Sequence, residues 1–196
     1  MSSQTLPDLN KLKESLAQKP TDLELLKKIG VILYEEAKES EALNYWEKAA
    51  LVSPSDAQVL NYLGAIYLDL GNNEKALEQY RLLVEQNPQD YLSLNNMGLI
   101  YSKLGDFAQA LNSWNKAIAI KDDCGEIYYN MGILYASVGK IDEAKNAYEK
   151  AIALDDNKYA HNNLGLLLMR SGEFGEAEKE FRAAIKLDQN DIHSLN

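Results

Sequence analysis

Asparagine is the residue type whose spacing in this sequence suggests binding chemistry. Asn96, Asn130 and Asn163 recur at intervals of 34 and 33 residues. Asparagine is unfavourable inside helices because its side chain competes with backbone hydrogen bonds, so three at one register need a reason. A side-chain amide donates and accepts, as a peptide unit does, so a row of amides could hold an extended chain. Hydrogen bonding within the protein explains the same residues equally well, and both interpretations stay open.

The residues that usually carry catalysis or bind metals are scarce. The chain has two histidines, His161 and His193, and one cysteine, Cys124. This supply does not make a zinc site, which normally takes four ligands of these types. No phosphate-binding glycine motif occurs, and nothing indicates a Ser-His-Asp arrangement. We therefore predict no catalytic residues, no metal, no cofactor and no enzyme activity, and we interpret His161 as a partly buried packing residue.

The glycines belong to an internal repeat. The segment LNNMGLIY at 94–101 recurs as LNYLGAIY at 60–67 and as YYNMGILY at 128–135, with weaker copies at 26–33 and 161–168. Nine of the eleven glycines follow this period in two registers. The first register holds Gly30, Gly64, Gly98, Gly132 and Gly165, and the second holds Gly71, Gly105, Gly139 and Gly172. A fixed period of this size indicates an array of repeated helical units.

Two further registers complete the pattern of the repeat. Small residues recur at Ala42, Ala76, Ala110, Ala144 and Ala177, and aromatic residues follow four positions later at Trp46, Tyr80, Trp114, Tyr148 and Phe181. This pattern resembles the tetratricopeptide repeat, a helix–turn–helix unit of about 34 residues. The resemblance implies an all-α fold, a right-handed superhelical solenoid. Gly at one register inside a helix indicates that another helix approaches closely there, so we expect the aromatic register to form the core.

The resemblance covers residues 23–191 and divides them into five repeats. These repeats are 23–56, 57–90, 91–124, 125–157 and 158–191, the fourth being one residue short. Residues 1–22 are interpreted as a tail and a capping helix, because Leu9, Leu12 and Leu16 form one apolar stripe. Residues 192–196 continue the register and are interpreted as the start of a truncated sixth repeat.

Composition restricts the partners that the chain can have. The net charge is −10 and the hydrophobic content is 46 %. Phosphate backbones bind clustered Lys and Arg, so nucleic acid is disfavoured as a partner. No apolar run reaches the roughly 18 residues of a membrane span, so we expect no membrane insertion. Without a signal pattern or a cysteine pair, a cytoplasmic location is the expectation.

In the family that this sequence resembles, the first helices of the repeats line a concave groove. Its residues lie at the second, fifth, sixth, ninth, twelfth and thirteenth positions of each repeat, called groove positions below. Four acids and four bases occupy these positions, so the groove is formally neutral. The residues that we predict to bind a peptide are Asn61, Tyr62, Asn95, Asn96, Leu99, Lys103, Tyr129, Asn130, Ile133, Asn162, Asn163, Leu166 and Arg170.

The resemblance implies a non-catalytic protein-interaction scaffold that binds an extended peptide or a partner helix. The asparagine register resembles the asparagine ladder of O-linked N-acetylglucosamine transferase. The carboxylate clamp of co-chaperones is not matched, because Lys27 fits its first position while Val31 stands where an asparagine is required. The alternative is a structural module that self-associates end to end through its last repeat, where Ile185 and Leu187 would be left uncovered.

Overall fold

The computed structural model of the protein describes residues 9–194, and side-chain surroundings through Asp188. The described residues form α-helices and no strand, which confirms the all-α prediction. The helices are α1 Leu9–Gln18, α2 Leu23–Glu35, α3 Glu39–Val52, α4 Ala57–Asp69, α5 Asn73–Gln86, α6 Tyr91–Lys103, α7 Phe107–Ile120, α8 Gly125–Ser137, α9 Ile141–Leu154, α10 Lys158–Arg170 and α11 Phe174–Ser194. None of these helices is long and apolar enough to cross a membrane.

The chain divides into two compact halves, one ending at Ile100 and the other beginning at Tyr101. In the N-terminal half, α2 pairs with α3 and α4 pairs with α5, while α3 also packs on α4. The helix α1 packs on α2, and the Lys13 ammonium lies 5.9 Å from the centre of the Tyr45 ring in α3. Asp22 and Asp56 cap α2 and α4, accepting hydrogen bonds from the N–H groups of Leu25 and Val59.

The C-terminal half repeats this arrangement. Here α8 pairs with α9 and α10 pairs with α11, α9 packs on α10, and α8 contacts both α7 and α10. One buried cluster joins Tyr148 of α9 to Leu164, Leu167 and Leu168 of α10, with Phe181 of α11 packed against it. The second helix of one pair therefore supports the first helix of the next pair.

The first glycine register holds the paired helices close together. A Cβ atom added at Gly30 would lie 2.6 Å from Nε1 of Trp46, and one at Gly132 would lie 2.6 Å from the Tyr148 ring. Gly64 and Gly165 meet Tyr80 and Phe181 in the same way, at 2.9 and 2.7 Å. The aromatic residues Trp46, Tyr80, Trp114 and Tyr148 are all buried. The aromatic register is therefore core, as the sequence predicted.

The second glycine register ends the first helix of each pair. Gly71, Gly105, Gly139 and Gly172 have φ angles between 75° and 84°, in the left-handed region that favours glycine. In the first repeat the same position is occupied by Ala37, whose φ of 54° makes it the one non-glycine residue at positive φ among the described residues. The helix ends therefore share one geometry although one repeat lacks the glycine.

The end of the described chain differs from the sequence interpretation. The helix α11 continues through Ser194, so residues 192–194 extend it and do not start a separate helix of a sixth repeat. The segment around Gln189 contains neither the proline nor the glycine that would stop a helix there. Residues 195–196 lie outside the described chain, as do residues 1–8 of the predicted tail.

Candidate functional site

The C-terminal half contains a pocket lined mainly by groove positions. Its volume is about 280 Å³, and its lining residues are Ile133, Ala136, Tyr148, Asn163, Leu166, Leu167 and Arg170. We call it the α8/α10 pocket. The structure thus brings together Ile133, Asn163, Leu166 and Arg170 of the predicted binding residues.

The local sequence explains why aliphatic side chains stay accessible in this pocket. Ile133 follows Gly132, and Leu166 follows Gly165, the two glycines buried against Tyr148 and Phe181. Successive helical residues point about 100° apart, so the residue after each buried glycine lies away from that contact. Ile133 is 41 % exposed and Leu166 is 37 % exposed. The first glycine register therefore packs one face of each first helix against its partner helix and leaves the following residue at the groove.

Two tyrosine hydroxyls form hydrogen bonds with the side-chain amide of Asn163. Its Nδ2 donates a weak hydrogen bond of 3.4 Å to the hydroxyl of Tyr129, and the side chain also hydrogen-bonds Tyr148. Burial raises the pKa of Tyr148 to about 12, although the bond from Asn163 acts in the opposite direction. Both hydroxyls therefore stay protonated at neutral pH. Hydrogen bonding within the protein, one of the two interpretations that the sequence left open, is therefore present at Asn163.

Arg170 brings the only basic group to the lining of the α8/α10 pocket. It lies in the last turn of α10, where a cation interacts favourably with the helix dipole. Its side chain is exposed, and no residue that the structure describes forms an ion pair with it. The guanidinium can therefore bind a carboxylate supplied from outside.

In the N-terminal half, aromatic residues occupy the corresponding groove positions. The ring of Tyr62 stacks on Trp46 with centroids 4.3 Å apart and an interplanar angle of 7°. Tyr34 meets Tyr62 edge to face at 5.7 Å, and its hydroxyl donates to Oδ2 of Asp69 at 2.7 Å. Burial and this hydrogen bond raise the pKa of Tyr34 to about 12. The rings of these groove residues are thus engaged with one another.

The two bases at the groove positions of this half line a second pocket of about 310 Å³. Its lining residues are Glu24, Lys27, Lys28, Val31, Ile32, Glu35 and Gln58. Lys27 is already paired, with its Nζ 2.9 Å from Asp56 and 3.8 Å from Glu24. Burial alone would raise the pKa of Asp56, but the hydrogen bonds from Lys27 and from the Val59 N–H outweigh it and lower that pKa.

Asn95 and Asn96 both have interaction partners within the protein. Asn96 is half-buried and hydrogen-bonds the hydroxyl of Tyr80, whose pKa burial raises strongly. Asn95 is only 4 % exposed, so its amide is not presented to a partner as the sequence analysis expected. The prediction of Asn95 as a groove residue fails in this respect, because the side chain lies on the buried face of α6.

The remaining predicted residues do not join one site. Asn61 and Lys103 are exposed, while Leu99 and Asn130 are half-buried. Asn162 is exposed and lines a different pocket of about 640 Å³, together with Lys158, Tyr159, Phe181, Ala184, Ile185 and Asp188. Among the described residues, no group of three or more His, Cys, Asp or Glu side chains is placed to hold a metal ion.

His161 carries an interaction that the sequence did not reveal. It is 8 % exposed, and both ring nitrogens face carboxylates: Nδ1 lies 2.6 Å from Glu180, and Nε2 lies 2.7 Å from Asp156. A neutral imidazole donates from one nitrogen only, so the arrangement suits the charged ring. Burial opposes that charge, but the two carboxylates outweigh it and raise the pKa of His161. His161 is buried as expected, yet it is an ion-paired residue rather than a simple packing residue.

Tyr148 and Leu167 also belong to the α8/α10 pocket although they were not among the predicted binding residues. Tyr148 could have been found, since it lies in the aromatic register 15 residues before Asn163. Leu167 could not have been found in this way, because its position in the sequence indicates only a buried residue of α10.

Comparison with known proteins decides the family. Profiles described as Tetratricopeptide repeat match residues 3–98, 89–157 and 129–192, which together span nearly the whole chain. The chain belongs to the tetratricopeptide repeat family. No curated protein sequence matches this tetratricopeptide repeat chain.

Several solved structures share the tetratricopeptide repeat fold with this protein. MamA is 25 % identical, with a TM-score of 0.73 over 84 % of this chain and 97 % of MamA. A tetratricopeptide repeat protein from Parabacteroides merdae is 22 % identical, with a TM-score of 0.79 over 91 % of this chain and 71 % of its own. YrrB, described as having an unusual peptide-binding site, is 17 % identical, with a TM-score of 0.66 over 96 % of this chain and 97 % of YrrB.

Proposed function

We propose that this tetratricopeptide repeat protein is a non-catalytic scaffold that binds an extended peptide or a partner helix at its Asn- and Tyr-lined groove positions. The observation that carries this proposal is the α8/α10 pocket, where Ile133 and Leu166 expose aliphatic surface beside Asn163 and Arg170. Exposed apolar groups with a few convergent polar groups are typical of binding sites. The description of YrrB as a peptide-binding repeat protein supports the same class of ligand.

The proposed partner is a protein and not a nucleic acid, because a net charge of −10 disfavours binding to phosphate backbones. The proposal places the protein in the cytoplasm, on the sequence argument that the lone Cys124 has no partner for an internal disulfide. Asn130 remains a proposed ligand of the partner's backbone. Its counterparts Asn96 and Asn163 have tyrosines at the preceding aromatic register, whereas Asn130 has Trp114, which offers no hydroxyl.

Affinity capture on the immobilised chain, followed by mass spectrometry, tests this function. We expect a partner that wild type retains and that the double variant Ile133→Ser, Leu166→Ser loses. The matched control is Leu51→Ser, since Leu51 is 86 % exposed and lies on a second helix, away from the groove positions. Retention by the double variant, or equal loss in the control, would show that the groove does not carry binding.

Self-association is the second candidate function. Tyr159 and Ile185 are 60 % and 57 % exposed at the pocket of about 640 Å³ formed by α10 and α11. A second copy could cover this apolar surface. Sedimentation at high concentration distinguishes the cases: wild type should form dimers or longer assemblies that Ile185→Glu abolishes. Monomers in both samples would remove this function.

A further inference from the structure

The lining of the α8/α10 pocket restricts the side chain that it can accept. Ile133, Ala136, Leu166 and Leu167 supply its apolar wall, and the volume is about 280 Å³. Ile133 and Leu166 keep more than a third of their surface exposed. Burying this surface favours an aliphatic side chain of the partner, because apolar area removed from water is stabilising.

The charges at the groove positions differ between the two halves. In the C-terminal half the groove positions hold one acid, Glu126, and two bases, Lys103 and Arg170. In the N-terminal half they hold three acids, Glu24, Glu35 and Asp69, and two bases, Lys27 and Lys28. The groove positions thus carry opposite net charges in the two halves. The net charge at the groove positions is positive in the C-terminal half, which contains the α8/α10 pocket.

The polar groups of the pocket are of a kind that binds a carboxylate next to a peptide unit. Arg170 lines the pocket with no ion-pair partner among the described residues, and a guanidinium binds carboxylates with two parallel hydrogen bonds. Asn163 donates from Nδ2 to the hydroxyl of Tyr129 and also hydrogen-bonds Tyr148, and its Oδ1 has two acceptor sites. That oxygen is available to accept a backbone N–H of the ligand.

We propose that the α8/α10 pocket binds a peptide segment in which an aliphatic side chain lies within a few residues of a carboxylate. The aliphatic group contacts Ile133 and Leu166, and the carboxylate pairs with Arg170. The carboxylate comes from an Asp or Glu side chain or from a peptide C-terminus. This inference rests on the proposed peptide-binding function and names the chemistry of the partner.

Selection from a random library of 12-residue peptides on the full chain tests the inference. Wild type should enrich peptides that pair Leu, Ile or Val with a nearby Asp, Glu or C-terminus. Selection on Arg170→Gln should lose the acidic preference and keep the aliphatic one, whereas Leu166→Ser should lose the aliphatic preference. The matched control is Arg182→Gln, an exposed arginine of α11 that pairs with Glu178. It should select as wild type does.

Fluorescence anisotropy with the most enriched peptide measures how much Arg170 contributes to affinity. Arg170→Gln should weaken binding about tenfold, since hydrogen bonds to charged groups contribute about that much, and Arg182→Gln should change nothing. Amidating the C-terminus of the peptide distinguishes a terminal carboxylate from a side-chain carboxylate. Melting curves of each variant verify that it is folded.

The outcomes separate the inference from the function on which it rests. Enriched peptides without acids, or an acidic preference that survives Arg170→Gln, would overturn the inference and leave peptide binding intact. No enrichment on wild type would overturn both.

Discussion

The groove positions of the two halves share a repeat frame but differ in how many of their groups are already engaged. In the N-terminal half, Tyr62 stacks on Trp46, Tyr34 bonds Asp69, and Lys27 pairs with Asp56. In the C-terminal half, Ile133 and Leu166 are exposed and Arg170 has no ion-pair partner among the described residues. The repeat determines where the side chains at groove positions lie, and the residue types determine whether these side chains are free to bind a partner. We therefore propose that peptide binding, if the groove positions carry it, uses those of the C-terminal half.

Replacing first-register glycines should have the largest effect and should affect both halves alike. A Cβ added at Gly64 would lie 2.9 Å from the Tyr80 ring, and one at Gly132 would lie 2.6 Å from the Tyr148 ring. We expect Gly64→Leu and Gly132→Leu each to lower the free energy of unfolding by about 1–3 kcal/mol through overpacking. Urea denaturation measures this. Gly175→Ala is the control, because its added Cβ meets nothing within 4 Å; wild-type stability of either leucine variant would refute the shared frame.

The pH dependence of stability should separate the two halves. His161 stands where the N-terminal half has the buried residues Leu26, Leu60 and Leu94. Its folded pKa is raised above the ordinary 6.5 by Glu180 and Asp156, against the opposing effect of burial. The imidazolium pairs therefore contribute fully below pH 6.5, and their contribution is lost as pH rises through the higher folded pKa.

Urea denaturation from pH 5.5 to 8.5 checks the contribution of His161. We expect wild type to lose about 1–2 kcal/mol across its titration, since hydrogen bonds to charged groups are worth about 1.5–3 kcal/mol and Asp156 is largely exposed. His161→Leu should remove this dependence. A wild-type slope that persists in His161→Leu would assign the effect to other groups.

The three register asparagines should divide by their tyrosine partners. Asn96→Ala and Asn163→Ala lose hydrogen bonds with Tyr80 and with Tyr129 and Tyr148, so each should lower the unfolding free energy by about 0.5–1.5 kcal/mol. Asn130→Ala should leave thermal stability nearly unchanged and weaken peptide binding several-fold. Thermal melting and anisotropy titration of the same three variants measure both effects. Equal thermal stability of all three variants would remove the distinction that we draw.

The smallest expected effect is a gain of stability in the N-terminal half. Ala37 has a φ of 54° where the other repeats have glycine at φ between 75° and 84°. Ala37→Gly should raise the unfolding free energy by about 0.5–1 kcal/mol, because the left-handed conformation strains a residue with a Cβ. Gly139→Ala should lower it by a similar amount. If neither change alters the melting temperature, the left-handed conformation at the helix ends does not affect the free energy of unfolding.

Most of the fold could be predicted from the sequence because two glycine registers and one aromatic register repeat with a single period. Gly132 and Tyr148, for example, are 16 residues apart, and this spacing brings them into contact across a helix pair. The continuation of α11 through Ser194 was not predictable from the period, since the register itself called for a break there.

The site was less predictable because it depends on side-chain orientation. The position of Asn163 followed from the repeat, but its bond to Tyr129 required knowing which way both side chains point. The contact of His161 with Glu180 joins residues 19 apart on different helices, and no periodic signal marks it. Asn95 shows the opposite failure, since a family groove position proved to be buried in this chain.

The central claim is that a peptide binds the groove face of α8 and α10. Titration of the isotopically labelled chain with the most enriched library peptide, followed by two-dimensional ¹⁵N–¹H spectra, tests it most directly. The account predicts saturable shift changes at Tyr129, Ile133, Asn163, Leu166 and Arg170, with the residues of α3 and α5 unchanged. Changes confined to the second helices α9 and α11, or centred on Tyr34 and Tyr62, would contradict it.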